Sequence, residues 1–164
     1  MLYLFHNRKI EHELEYSYEI QGNTKEEIAV PDGYRVELVT EQTLHRGYEN
    51  EEMLINRLNE CWNSLDDFWE KSLSFIAVKD KEIVGIIVGS GRYERYIPID
   101  IEVLEAHRKR GIAKALTSAF VNRCVQCDLV PHWDCVESNT GSIRLAESIG
   151  FEKIKERPLY WFDI

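Results

Sequence analysis

The sequence predicts an α/β or α+β fold, a sheet with helices packed on it. Three observations carry this. Alternating strand patterns come first, two stretches repeat apolar residues at helical spacing, and from Tyr96 onward strand, helix, strand, helix and strand follow in turn. With 164 residues, 44% of them hydrophobic, the chain has one-domain length and can bury a single sizeable core.

LEYSYEIQ (14–21) alternates weakly, as an edge strand does, and GNTKEE reads as a turn. After Pro31-Asp32-Gly33, a turn signal, YRVELVT (34–40) alternates as a strand. From Glu51 to Trp69 the periodicity is helical, with Leu54, Leu58 and Trp62 on one stripe and a break near Asn63-Ser64. SLSFIAVKDKEIVGIIVGSG (72–91) reads as a hairpin, two β-branched runs flanking Lys79-Asp80-Lys81-Glu82. YIPIDIEV (96–103) is the cleanest alternation. Ile97, Ile99, Ile101 and Val103 point one way, and Pro98, Asp100 and Glu102 the other.

From Gly111 to Cys127, Ile112, Leu116, Ala119, Phe120, Cys124 and Cys127 form a helical stripe. VPHWDCV (130–136) is a short strand. Asn139 then suits the N-cap of a helix running to Ile149, with Gly150 as its left-handed terminator. PLYWFDI (158–164) closes the chain as a strand.

A net charge of −9 argues against a nucleic-acid partner, whose phosphates need a basic footprint. It suits a cationic or amine-bearing partner better. No apolar stretch approaches the roughly 20 residues of a spanning helix. The opening MLYLFHNRKIEHELE breaks its apolar run too early for a signal peptide, so a cytoplasmic protein with no membrane partner is expected. Four cysteines beside an adequate core suggest free thiols in a reducing compartment.

The chemistry concentrates where the best strand meets the best helix, in His107-Arg108-Lys109-Arg110-Gly111-Ile112-Ala113-Lys114. A helix N-terminus leaves backbone N–H groups unpaired and carries partial positive charge, so it receives anions such as a pyrophosphate. Gly111 and the small Ala113 allow close approach to the backbone. A solvated basic turn opening an ordinary helix has the same composition. These residues alone do not decide between the two. Arg108-x-x-Gly111-x-Ala113, preceded by an alternating strand, resembles the coenzyme A pyrophosphate motif of the GNAT acetyltransferase superfamily. Asn139-x-x-Ser142-x-x-Leu145-Ala146-x-x-x-Gly150-Phe151 is similar to that superfamily's second coenzyme motif, in the right order and spacing. PHWDCVESNTGSIRLAESIGFEK and WNSLDDFWEKSLSF resemble the subgroup containing bacterial zwittermicin-resistance acetyltransferases.

The likeness covers about residues 28 to 155, which divides the chain into an N-terminal extension, 1–30, and an acetyltransferase domain, 31–164. It implies a mixed, mainly antiparallel sheet flanked by helices on both faces, parallel where the coenzyme splays the central strands. It implies acetyl-CoA as co-substrate, with no metal, and a small-molecule primary amine attacking directly in a ternary complex. Backbone N–H groups of Arg108, Lys109, Arg110, Gly111, Ile112 and Ala113 then hold the pyrophosphate. The Val103 N–H faces the thioester oxygen, where a fixed dipole in a dry site contributes a few kcal/mol. Asn139 contacts the pantetheine or thiol end, and Ser142 of the same motif belongs to the coenzyme-binding set.

The amine must also lose a proton. Glu102, beside Val103 on the polar face of the strand, is the candidate base if partial burial raises its pKa; a surface charge paired with a neighbour is the plain alternative. Asp100 is the reserve base or the group that orients the ammonium. One departure stands out: many superfamily members protonate the departing thiolate with a tyrosine where this chain has Ala146. Tyr160 and Cys135 are the substitutes in view. That absence also leaves a non-catalytic acetyl-CoA-binding or regulatory module as the rival reading.

Cys124-x-x-Cys127 followed by His132-x-x-Cys135 supplies four metal-ligating residue types. The two cysteines lie on the helix's apolar stripe, however, and His132 and Cys135 have opposite strand parity, so no zinc site is expected. Trp133 and Trp161 read as core or cleft wall, and His6, His12 and His45 as surface residues. His107, next to the phosphate turn, reads more as a turn residue than as a coenzyme contact.

Overall fold

A computed structural model of the protein describes residues 10–24 and 28–162. His6, most of the opening segment, and the last two residues of the expected closing strand lie outside that range. In chain order the elements are β1 (Ile10–Glu19), β2 (Arg35–Leu38), α1 (Glu51–Cys61), α2 (Leu65–Lys71), β3 (Ser74–Lys79), β4 (Glu82–Gly89), β5 (Tyr96–Val103), α3 (Ile112–Gln126), β6 (Val130–Val136), α4 (Thr140–Ile149) and β7 (Glu152–Phe162). Short 3₁₀ turns at Glu41–His45 and Glu105–His107 had no clear sequence signal.

Local chemistry sets the boundaries. Ser64 Oγ accepts the Asp67 N–H at 3.1 Å, so α2 starts afresh after the break in the helical stripe. Asn139 Oδ1 accepts the Ser142 N–H at 3.1 Å and opens α4, which Gly150 ends at φ +117°. Asn50 has a different task. Its side-chain amide donates to Ile83 O at 2.7 Å and accepts the Ile83 N–H at 2.8 Å, tying the head of α1 to β4.

The seven strands form one sheet in the order β2-β3-β4-β5-β6-β1-β7. Neighbours run antiparallel except β5 and β6, which are parallel. Helices cover both faces. Leu54, Leu58 and Phe68 of α1 and α2 pack on Ile76, Val78, Ile83, Ile86 and Val88. On the other face Ile112, Leu116, Phe120 and Cys124 of α3 meet Ala77, Val84, Ile87 and Ile97. Ala146 and Ile149 of α4 join Val121 of α3 over Tyr18, Trp133 and Cys135. Alternation along β3, β4 and β5 divides their side chains between these cores.

Two expectations need correction. The first strand is no edge: β1 lies between β6 and β7, pairing antiparallel with both. The closing strand starts at Glu152, six residues before the expected Pro158. β7 is the edge, so no buried face imposes alternation on Glu152–Arg157, and Pro158 is tolerated there.

Candidate active site

The parallel pair is short. Tyr96, Ile97 and Pro98 stand opposite Val130, Pro131 and His132, and beyond that register β5 and β6 part. Hydrogen bonds fix which groups face the opening. The Leu104 N–H reaches Val84 O and the Ser90 N–H reaches Pro98 O, each at 2.9 Å, so the even residues of β5 address β4. Ile99, Ile101 and Val103 therefore direct their N–H and C=O groups into the gap. On the other wall the Glu137 N–H donates to Leu14 O at 2.8 Å, so Trp133 and Cys135 address β1, while His132, Asp134 and Val136 face the gap. A wedge with peptide groups at strand spacing on both walls can take an extended, amide-bearing chain between them.

Because β5 and β6 are parallel, the helices that follow them begin at the same end of the wedge. Lys109 (φ +58°) and Gly111 (φ +83°) are both left-handed, which curls the backbone into a concave turn. Gly111 is the N-cap of α3 and offers no side-chain acceptor; the first intrahelical bond is Ala115 N–H to Gly111 O at 3.1 Å. The N–H groups of Ile112, Ala113 and Lys114 are left open, a site for an anion. A cavity of about 290 Å³ lies here, lined by Val103, His107, Arg108, Lys109, Gly111, Ile112, Ala113 and Lys114. Arg110 is not among its walls. Arg108 Nε donates to Val103 O at 3.0 Å and closes the turn against the strand end.

A brace absent from the sequence reading supports this turn. Tyr34 Oη and His107 Nδ1 are 3.0 Å apart and their rings pack edge to face, while Pro31 Cγ lies 3.6 Å from where a Gly111 Cβ would stand. Another cavity, about 410 Å³, lies among Trp69, Lys71, Arg92, Arg123 and Cys127. It sits at the C-terminus of α3, where the helix dipole opposes anions, and holds none of the expected site residues.

On the face towards α1, Asp100 and Glu102 are joined by Arg57. Its Nη1 is 2.8 Å from Asp100 Oδ2 and 3.3 Å from Glu60 Oε2, and its Nη2 donates to Glu102 Oε2. Burial alone would pull the Arg57 guanidinium down; the Glu102 hydrogen bond and the charges of Asp100, Glu102 and Glu60 outweigh it and raise it. Glu102 is thus not sheltered as expected: its side chain is 41% exposed and ion-paired. Arg57 was not among the expected site residues, although its place three residues after Leu54 and one before Leu58 sets it beside the buried stripe of α1.

The second motif is occupied by structural bonds. Asn139 Oδ1 caps α4, Ser142 Oγ accepts the Trp133 Nε1–H at 2.9 Å, and Ala146 is fully buried. Burial pushes the Cys135 thiol up, partly offset by its hydrogen bond with Ser142. Tyr160 is exposed on β7, stacked on His12, with β1 and β6 between it and the gap. The metal-ligating residue types do not converge. Cys124 is buried under α3, its thiol pushed up to about 12 by burial, and Cys127 is exposed. His132 turns to the opposite face from Cys135, with Nδ1 3.3 Å from Glu19 and Nε2 3.1 Å from Asp134. No group of three metal-ligating side chains forms among the described residues, and none of their helices is long and apolar enough to cross a membrane.

A family model described as GNAT acetyltransferase matches residues 5–160. The chain is 33% identical over 106 residues to an uncharacterized N-acetyltransferase of Bacillus subtilis, YdfB, a match covering 62% of this chain and 39% of that protein. It thus spans about two fifths of that relative's length. A GCN5-related N-acetyltransferase-like protein from Streptococcus suis superposes with a TM-score of 0.73 at 18% identity, over 98% of this chain and 65% of that one. A GCN5-related N-acetyltransferase from Sphaerobacter thermophilus gives 0.67 at 18% identity, over 98% and 55%. At these identities the two structures support the fold alone, a mixed, mostly antiparallel sheet with helices on both faces.

Proposed function

The chain belongs to the GNAT acetyltransferase family, and on that premise we propose that it transfers the acetyl group of acetyl-CoA to a primary amine of a small molecule, by direct attack in a ternary complex. One observation carries the reading: the open N–H groups of Ile112, Ala113 and Lys114, which follow the left-handed turn at Lys109–Gly111, stand at the mouth of the wedge between β5 and β6. Anion site and peptide-lined slot are continuous through Val103, which belongs to both. The pyrophosphate of the coenzyme suits the N–H groups from Lys109 to Ala113, the Arg108 N–H being bonded to Glu105 O at 3.2 Å, and its amide-bearing arm suits the β5 edge at Ile99, Ile101 and Val103. The Val103 N–H then faces the thioester oxygen and opposes the negative charge that develops there. Nδ2 of Asn139 remains for the thiol end, whereas Ser142 contributes through Trp133.

Glu102, ion-paired to Arg57 rather than sheltered, keeps one oxygen to take the proton from the amine, directly or through water, as the nitrogen bonds to the acetyl carbon and the carbon–sulfur bond breaks. Asp100 draws the ammonium in. The charges of Asp100, Glu102, Glu60 and Arg57 leave this wall negative, which favours a cationic acceptor. Cys61 is no ready relay for the acetyl group. Burial first, and the Asp100 charge next, push its thiol up, which favours direct attack. With Ala146 in the core, water protonates the leaving thiolate.

In this reading 31–164 is the acetyltransferase domain, and the extension 1–30 supplies β1 to its sheet. The zwittermicin-resistance likeness points to small aminated metabolites in the cytoplasm. A non-catalytic acetyl-CoA-binding module is the second reading, favoured by the buried Ala146. Mass spectrometry of a panel of amino sugars, diamines and amino acids incubated with protein and acetyl-CoA separates the two. Acetylated product above the protein-free control is expected; coenzyme binding without product from any amine would favour the module.

A further inference from the structure

We infer that Arg57 is a positioning residue for this reaction: one guanidinium on α1 holds Asp100 and Glu102 side by side and leaves one oxygen of each directed to the acceptor. The inference rests on the proposed acetyl transfer and on Glu102 as its base. Asp100 and Glu102 are two residues apart on one face of β5, so their carboxylates stand at strand spacing, a distance at which like charges repel. Arg57 spans them with separate nitrogens, Nη1 at 2.8 Å from Asp100 Oδ2 and Nη2 on Glu102 Oε2. Asp100 Oδ1 and Glu102 Oε1 have no partner among the described residues. Each carboxylate is therefore anchored by one oxygen and free at the other, and both free oxygens lie beside the strand whose Val103 N–H faces the gap.

The fork matters as much as the charge. A planar guanidinium offers two N–H groups in fixed geometry, whereas an ammonium is a point charge on a flexible stem. Arg57 is itself held, its side chain 25% exposed and Nη1 also 3.3 Å from Glu60. α1 in turn is fastened to the sheet by Asn50 and by buried Leu54 and Leu58. The packing of α1 thereby reaches the reacting nitrogen through one side chain.

The test uses the unsubstituted chain, Arg57→Gln, Arg57→Lys and Arg57→Ala, with the amine of the panel that is turned over fastest. Arg57→Gln keeps much of the aliphatic stem and should lower kcat by roughly 10²-fold, the usual effect of misplacing a group at the reacting centre. The KM and Kd for acetyl-CoA should stay within about two-fold, which also reports that the variant is folded. Arg57→Lys should remain impaired, since charge without the fork cannot hold both carboxylates. Millimolar guanidinium chloride should restore part of the Arg57→Ala rate and leave the Glu102→Gln rate unchanged. In a Glu102→Gln background, Arg57→Gln should add little further loss. Full kcat in Arg57→Gln or Arg57→Lys, a full additional loss in that background, or no guanidinium rescue would overturn the inference and leave the acetyl transfer standing. Absence of turnover by the unsubstituted chain with every amine would count against the reaction, and this inference falls with it.

Discussion

The two walls of the site are built differently. The side proposed for the coenzyme is backbone: open N–H groups at the head of α3, two left-handed residues and a strand edge, all within Ile99–Lys114. The side proposed for the acceptor is side chains: Arg57 from α1 meets Asp100 and Glu102 from β5, more than forty residues away. A wall of local backbone is fixed by φ and ψ, and tolerates changes to most side chains that line it. A wall of converging side chains depends on how a helix seats against a sheet, so single substitutions reshape it. On this account the first wall serves a constant ligand and the second is free to change with the acceptor.

Substitutions should separate the walls. Gly111→Glu gives the largest effect, because a side chain at φ +83° is strained and its carboxylate occupies the place of the phosphate. Acetyl-CoA should raise the Tm of the unsubstituted chain by mass action and should no longer do so for this variant. Unchanged calorimetric affinity would break the backbone half of the comparison. Glu102→Gln should lower kcat/KM for the amine by about 10²–10⁴-fold, the usual range of general-base catalysis, with acetyl-CoA affinity intact. Near-normal turnover with a true acceptor would remove Glu102 and bring Asp100 or a water chain forward. Tyr34→Phe should have the smallest effect. Losing one hydrogen bond to His107 loosens the turn and should weaken acetyl-CoA binding by about 3- to 10-fold, read by calorimetry, with little change in kcat.

The same difference explains what could be read in advance. Gly111, Asn139 and Gly150 are legible because each answers a local backbone demand: left-handed φ at the glycines, an acceptor for the Ser142 N–H at Asn139. The alternation of β5 put Asp100 and Glu102 on one face, and the structure keeps them there. Arg57, Tyr34 and the interior place of β1 were not legible. Spacing sets Arg57 beside the buried stripe of α1, but its partners, like those of Tyr34 and β1, depend on which elements end up adjacent, and no single segment encodes that. β7 was read six residues short, since an exposed edge carries no burial signal.

Acetyl-CoA is proposed to lie along the β5 edge with its pyrophosphate on the head of α3. Amide chemical-shift mapping by ¹⁵N NMR, during titration with acetyl-CoA, tests it residue by residue. The account predicts the largest changes at Ile101, Val103 and Lys109 through Lys114, with Arg57 and Trp69 little affected. Changes centred instead on Trp69, Arg92 and Arg123, around the cavity at the far end of α3, with the Gly111 and Ile112 amides unmoved, would contradict it.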